Sequence, residues 1–139
     1  MRFLFLTASL LMVLLAPLPQ LPAQEKESPI EKEVKANLKD PTKPFMMLVH
    51  IKIKDGMAAK FEAAFAKART ETRKEKGNKA YRLNRSAKQP NEYVLYERWD
   101  NFAALQAHLK APYITKLLAD VGSMFDGPPE LKVYLPRAE

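Results

Sequence analysis

The passage YERWDNFAALQAHL (96–109) brings Glu97, Trp99 and His108 into one short stretch, with Tyr96 beside them. Imidazole titrates near neutral pH, so His108 is the side chain here best suited to move a proton. The chain has no cysteine, which removes thiolate nucleophiles and disulfide staples alike. Neither of its two histidines, His50 and His108, is accompanied by a carboxylate or cysteine at metal-ligand spacing, so no metal site is expected. Gly56 and Gly77 are isolated punctuation, not a phosphate-cradling Gly-x-Gly-x-x-Gly loop. What remains is acid–base and hydrogen-bonding chemistry. Tyr81, Tyr96 and Asn84 are further donors, together with Arg82.

These side chains need elements to aim them. FMMLVHIKIK (45–54) reads as a strand stopped by Asp55-Gly56. From Met57 to Lys76 the spacing is helical, with Met57, Phe61, Ala64, Phe65 and Ala68 in one stripe and Gly77-Asn78 as the C-terminal stop. Two strands, 79–87 and 92–99, then flank the turn KQPN (88–91). Asp100 or Asn101 can cap the next helix, which carries Phe102, Leu105 and Leu109, with His108 on the flank of that stripe. Pro112 breaks it, and a restarted helix presents Tyr113, Leu117, Leu118, Val121 and Met124 or Phe125. Asp126-Gly127 and two prolines end that segment, and 130–135 alternates as a last strand. The order β-α-β-β-α-β, with its second helix broken, predicts an α+β ferredoxin-like split βαβ fold: a four-stranded antiparallel sheet with the helices on one face. Met47, Val49, Ile51 and Ile53 share one side of the first strand while Met46 and Leu48 take the other. Tyr93, Leu95 and Trp99 likewise oppose Val94 and Tyr96. Helices can cover only one of these apolar faces, so a second copy of the chain is expected on the other, as a homodimer.

The remaining sequence bounds the setting. Residues 1–23 follow the plan of a secretory signal: Arg2, an apolar run interrupted at Thr7 and Ser9, then a proline-rich stretch ending in Ala23. The apolar run is shorter than a membrane span requires. A secreted or periplasmic protein with no stable membrane anchor after cleavage is therefore expected. Residues 24–44 are charged and interrupted by Pro29, Pro41 and Pro44, which predicts a flexible linker, with a short helix from Ile30 to Leu38 available to it. The folded domain is then 45–139. The net charge is +7, yet basic residues interleave with glutamates, as in KARTETRKEK (67–76), the pattern of a solvated helix face. No nucleic-acid motif accompanies the charge, and no nucleic-acid partner is expected.

The order of elements, the KDG turn (54–56) and YVLYERWDNFAALQAHLKAPYI (93–114) resemble the antibiotic biosynthesis monooxygenase family over about residues 45 to 135. Glu97, Trp99 and His108 carry the most specific part of that likeness. The resemblance implies a dimeric α+β barrel, some of whose members oxygenate electron-rich phenols, anthrones or quinols with O2 and without metal or flavin. Such chemistry needs a base, hydrogen bonds to a developing oxyanion and an apolar pocket that excludes water. It implies His108 and Trp99 as catalytic residues, Tyr96, Tyr81, Asn84 and Glu97 as contacts to a small aromatic or quinol-like substrate, and no cofactor. A structural histidine capping a neighbouring carbonyl would occupy the same position, and a non-enzymatic barrel holding a small apolar ligand is the alternative. Haem-degrading relatives carry an asparagine in the first strand; LVHIKIKDG (48–56) has none, which argues against haem breakdown.

Overall fold

The computed structural model describes residues 26–137. The elements run α1 (Pro29–Asn37), β1 (Phe45–Lys52), α2 (Ala58–Thr72), β2 (Asn78–Arg85), β3 (Glu92–Trp99), α3 (Phe102–Lys110), α4 (Pro112–Gly122) and β4 (Glu130–Tyr134). The sheet order is β2-β3-β1-β4 with every neighbour antiparallel, so β3 is inserted between β1 and β2 as the split βαβ plan requires. The predicted strands and helices are present, and α3 and α4 are separated at Pro112 as expected. Asn101 is the cap of α3, its side chain accepting from the Ala104 amide at 2.9 Å. Gly56 adopts φ 78° in the turn after β1, a conformation that glycine accepts without strain.

Strand alternation assigns the two faces. Phe45, Met47, Ile51, Tyr81, Tyr93, Leu95, Glu97 and Trp99 are buried under the helices. Around Phe61 the core is aromatic, with Phe65 at 4.8 Å and Tyr93 at 5.0 Å between ring centroids. Each such ring contributes roughly 1.5–3 kcal/mol by leaving water. A second cluster joins Phe45, Met47, Trp99, Phe102 and Leu105 to Val34 of α1. The opposite face carries Met46, Leu48, Val94 and Tyr96, all half-buried, among the exposed His50, Arg82, Asn84 and Arg98.

Four expectations change. Residues 24–44 contain a packed helix, not only a tether: Ser28 and Glu31 form a reciprocal capping box (2.6 and 3.2 Å), and Val34 is fully buried. Charge in the sequence concealed this because only one face of α1 is covered. Helix α2 ends at Thr72, not Lys76, and residues 73–77 form tight turns stitched by Lys74 N to Glu71 O, Glu75 N to Thr72 O and Asn78 N to Glu75 O. Gly77 is not the left-handed C-cap glycine its position implied, since among the described residues only Gly56 and Gly127 have positive φ. Its role is closeness: a Cβ there would meet the Ala104 Cβ at 2.3 Å. In α4 the buried stripe is Ile114, Leu117 and Val121, while Leu118 is exposed and Tyr113 half-buried. The expected secretory segment at 1–23 lies outside the described residues; among those described, no helix is long and apolar enough to cross a membrane.

Candidate active site

Beneath the helices, against the buried sheet face, lies a cavity of about 360 Å³. Its floor comes from Met47, Val49, Leu95, Tyr81 and Glu97, and its roof from Leu105, His108, Ile114 and Leu117 of α3 and α4. Tyr81 and Glu97 are direct cross-strand partners, so pleating aims both side chains into this space. His108 follows Phe102 and Leu105 at intervals of three on the buried side of α3. It is therefore in the stripe, not on its flank, and is 3 % exposed.

What fixes the imidazole comes from the turn after α2. The Gly77–Ala104 approach presses that turn against α3, one helical turn before His108. Glu75 thereby reaches His108, with Nδ1 to Oε2 at 2.9 Å. The other Glu75 oxygen accepts from the Tyr113 hydroxyl. A carboxylate can only accept, so His108 donates from Nδ1 and its Nε2 carries the lone pair, a tautomer assigned from the network. Behind the imidazole, Trp99 packs at 4.7 Å between ring centroids and donates its indole N–H to Glu97 Oε2 at 2.8 Å. The Tyr81 ring lies 5.6 Å from His108.

Three polar atoms here have no hydrogen-bond partner among the described residues: His108 Nε2, Glu97 Oε1 and the Tyr81 hydroxyl. Yet no fully buried side-chain N or O among those residues is left unsatisfied. All three residues line the cavity, so these atoms are the ones open to whatever enters it.

The electrostatics follow from burial. Desolvation pushes the Glu97 carboxyl up to about 7, helped by the Glu75 charge and opposed by the Trp99 N–H. Desolvation also holds the His108 imidazolium below its ordinary range, with Glu75 partly restoring it. Burial and the neighbouring Glu97 raise the Tyr81 phenol, which stays a neutral donor. Tyr113 is pushed up to about 12 by desolvation and its bond to Glu75. The arrangement offers an unprotonated base, a carboxyl near its midpoint at neutral pH and a phenolic donor around one apolar chamber. That is the equipment for taking a proton from a bound hydroxyl or acidic C–H and holding the resulting anion.

Of the six residues expected from the sequence, His108, Glu97 and Tyr81 converge on this cavity. Trp99, expected as a catalytic residue, is 1 % exposed, does not line the cavity and stands behind His108. Tyr96 and Asn84 do not reach it. Both point from the opposite face of the sheet, where Asn84 Nδ2 donates to the Arg82 and Val94 carbonyls at 3.2 and 3.3 Å. Their odd or even place in the strand decides this. Glu75 and Tyr113 were missed: Glu75 falls within a Lys/Glu run that reads as solvated, and Tyr113 within an apolar stripe. Gly77, two positions on, was the available hint of a close approach. Among the described residues no cluster of His, Cys, Asp and Glu could hold a metal ion. A larger groove of about 810 Å³ crosses the outside between α2 and α4, but none of the six expected residues lines it.

Comparison with known proteins bears on the same region. Solved structures share the fold. A protein assigned as an antibiotic biosynthesis monooxygenase from Nitrosomonas europaea matches with TM-score 0.65 and 21 % identity, over 70 % of this chain and 93 % of its own. The Rv0793 protein of Mycobacterium tuberculosis matches with TM-score 0.64 and 28 % identity, over 69 % and 97 %. A similarly assigned protein from Caulobacter crescentus gives TM-score 0.66 and 24 % identity, over 71 % and 93 %. An uncharacterized Synechocystis protein is 26 % identical over 91 residues, 66 % of this chain, and the chain spans 62 % of that relative's length. The profile of the family described as Antibiotic biosynthesis monooxygenase matches residues 44–119, a span that holds Tyr81, Glu97, Trp99 and His108 together with Glu75. With fold, profile and buried site coinciding, the chain belongs to the antibiotic biosynthesis monooxygenase family.

Proposed function

We propose that this chain is an exported, cofactor-independent monooxygenase that oxidises a quinol-like or polycyclic phenolic substrate with O2. The observation that carries the reading is the unprotonated His108 Nε2, backed by Glu75 and open to an apolar cavity beside Tyr81 and Glu97. In the proposed reaction His108 takes the substrate proton, and Glu75 stabilises the imidazolium formed. The Tyr81 hydroxyl, and Glu97 when protonated, donate to the substrate oxyanion. The anion passes one electron to O2, the radical pair closes to a carbon-bound peroxide anion, and the His108 imidazolium returns its proton to give the hydroperoxide. Loss of water then turns that carbon into a carbonyl: one oxygen atom stays in the quinone, the other leaves as water, and the substrate supplies four electrons. Apolar walls shield these intermediates from bulk water.

A second copy of the chain on the open sheet face is part of the proposal. Met46, Leu48, Val94 and Tyr96 form an apolar strip there, and Tyr134 at its edge is 43 % exposed. Export is supported by the apolar N-terminal sequence.

Oxygen uptake by the purified chain with menadiol-type quinols and anthrones, corrected for autoxidation, tests the reading. Enzyme-dependent uptake with one oxygen atom from 18O2 in the quinone is expected. Uptake equal to the uncatalysed rate across both classes, or unchanged in His108→Ala, would sink it.

A further inference from the structure

Helix α1 lies outside the span 44–119 matched by the family profile. About 70 % of this chain accounts for 93–97 % of the solved relatives from Nitrosomonas and Mycobacterium, so its additional residues extend beyond the shared domain. Nevertheless α1 reaches the cavity: Pro29, Ile30 and Glu33 line it opposite the sheet. We propose that α1 is a lid added to the family domain, which completes the ligand chamber and confines it to uncharged ligands.

The attachment of α1 fits a lid. Val34 is its one fully buried apolar side chain, inserted among Phe45, Met47, Trp99 and Leu105. Glu31 accepts from Gln106 Nε2 at 3.3 Å and lies near the positive charge of Lys110. The loop that follows is pinned by the Phe102 amide donating to Pro41 O at 2.9 Å. Gln106, Lys110 and Phe102 all belong to α3, the helix that presents His108. A helix of nine residues has no stability of its own in water, so α1 is ordered only while docked. Segments held by few buried side chains open far more readily than the core beneath them. Opening at α1 would therefore admit ligand without unfolding the sheet.

The selection by charge follows from the lining. Glu33 stands exposed at the rim and Glu97 is buried within, and among the described residues no lysine or arginine lines the cavity. A carboxylate or sulfonate ligand would meet two acidic side chains with no cation to offset its desolvation. A neutral hydroxyl-bearing aromatic would instead donate to Glu97 Oε1 or His108 Nε2 and stack its ring against Ile30, Leu105 and Leu109.

This inference rests on the cavity being the ligand site, and it can be tested without turnover. The probes are 2-naphthol and 2-naphthoate, titrated anaerobically into the full chain by calorimetry, with hydrogen exchange followed in residues 26–38. We expect 2-naphthol to bind at least tenfold more tightly than 2-naphthoate and to slow exchange in α1. Ile30→Trp, which fills the chamber from the lid, should weaken 2-naphthol at least tenfold while thermal unfolding stays cooperative. Glu33→Lys should narrow the preference over 2-naphthoate. Equal binding of the two probes, no binding of 2-naphthol, or α1 exchange and Ile30→Trp affinity both unchanged would overturn the proposal. Tight 2-naphthol binding without oxygen uptake from any quinol would instead remove only the oxygenase reading.

Discussion

Burial and ion pairing pull the His108 imidazole in opposite directions, and the balance decides its usefulness as a base. Desolvation prevails, so the neutral form dominates at pH 7 and persists below the ordinary histidine range. His108→Ala should lower kcat by roughly 10²–10⁴-fold, measured as initial oxygen uptake. Glu75 acts through His108, and its charge raises the imidazole pKa. Glu75→Gln should therefore shift the acid limb of the kcat–pH profile to lower pH and reduce kcat by about tenfold, an effect that simple loss of packing would not reproduce. Glu97 makes a stability prediction with the opposite sign. Its carboxyl rises from 4.5 to about 7 on folding, so stability is fully present below pH 4.5 and is lost as pH rises through 7. Removing the charge with Glu97→Gln should stabilise the fold at pH 8 by on the order of 1–3 kcal/mol and flatten that part of the urea-midpoint profile. Acid–base residue types are visible in a sequence, which is why His108, Glu97 and Tyr81 were legible. The Glu75 contact joins residues 33 positions apart, and spacing carries no sign of it.

At the level of elements, the site depends on a helix stopping early. Had α2 continued to Lys76, Glu75 would have stayed on the surface of that helix. The turn 73–77 returns it to α3, and Gly77 permits the approach. Gly77→Ala should cost about 1–3 kcal/mol, read from the denaturant midpoint, because its Cβ and that of Ala104 cannot share the space. It should also reproduce the pH shift of Glu75→Gln, since the turn must move away from His108. Glycine at a helix end has two physical uses, left-handed backbone and close approach, and one sequence does not tell them apart. Helix α1 taught the same lesson from charge. Its Ile30, Val34, Leu38 spacing was legible, but whether that face found a surface to cover was a tertiary matter.

For the whole molecule, the open sheet face is the outstanding feature. Leu48 and Tyr96 face each other across the β1–β3 pair at its centre. Leu48→Glu should turn the expected dimer into a monomer at micromolar concentration, seen as halved mass in sedimentation equilibrium. The unaltered chain should show a melting temperature that rises with protein concentration, which the variant lacks. Alternation of apolar residues in strands, helical stripes and turn signals determined the element order and split βαβ plan, because those patterns are local consequences of backbone geometry. Register, the early stop of α2 and the docking of α1 were decided only by three-dimensional packing. Each depends on which surfaces come within van der Waals reach once the sheet has formed, and those distances join residues that the linear order keeps apart.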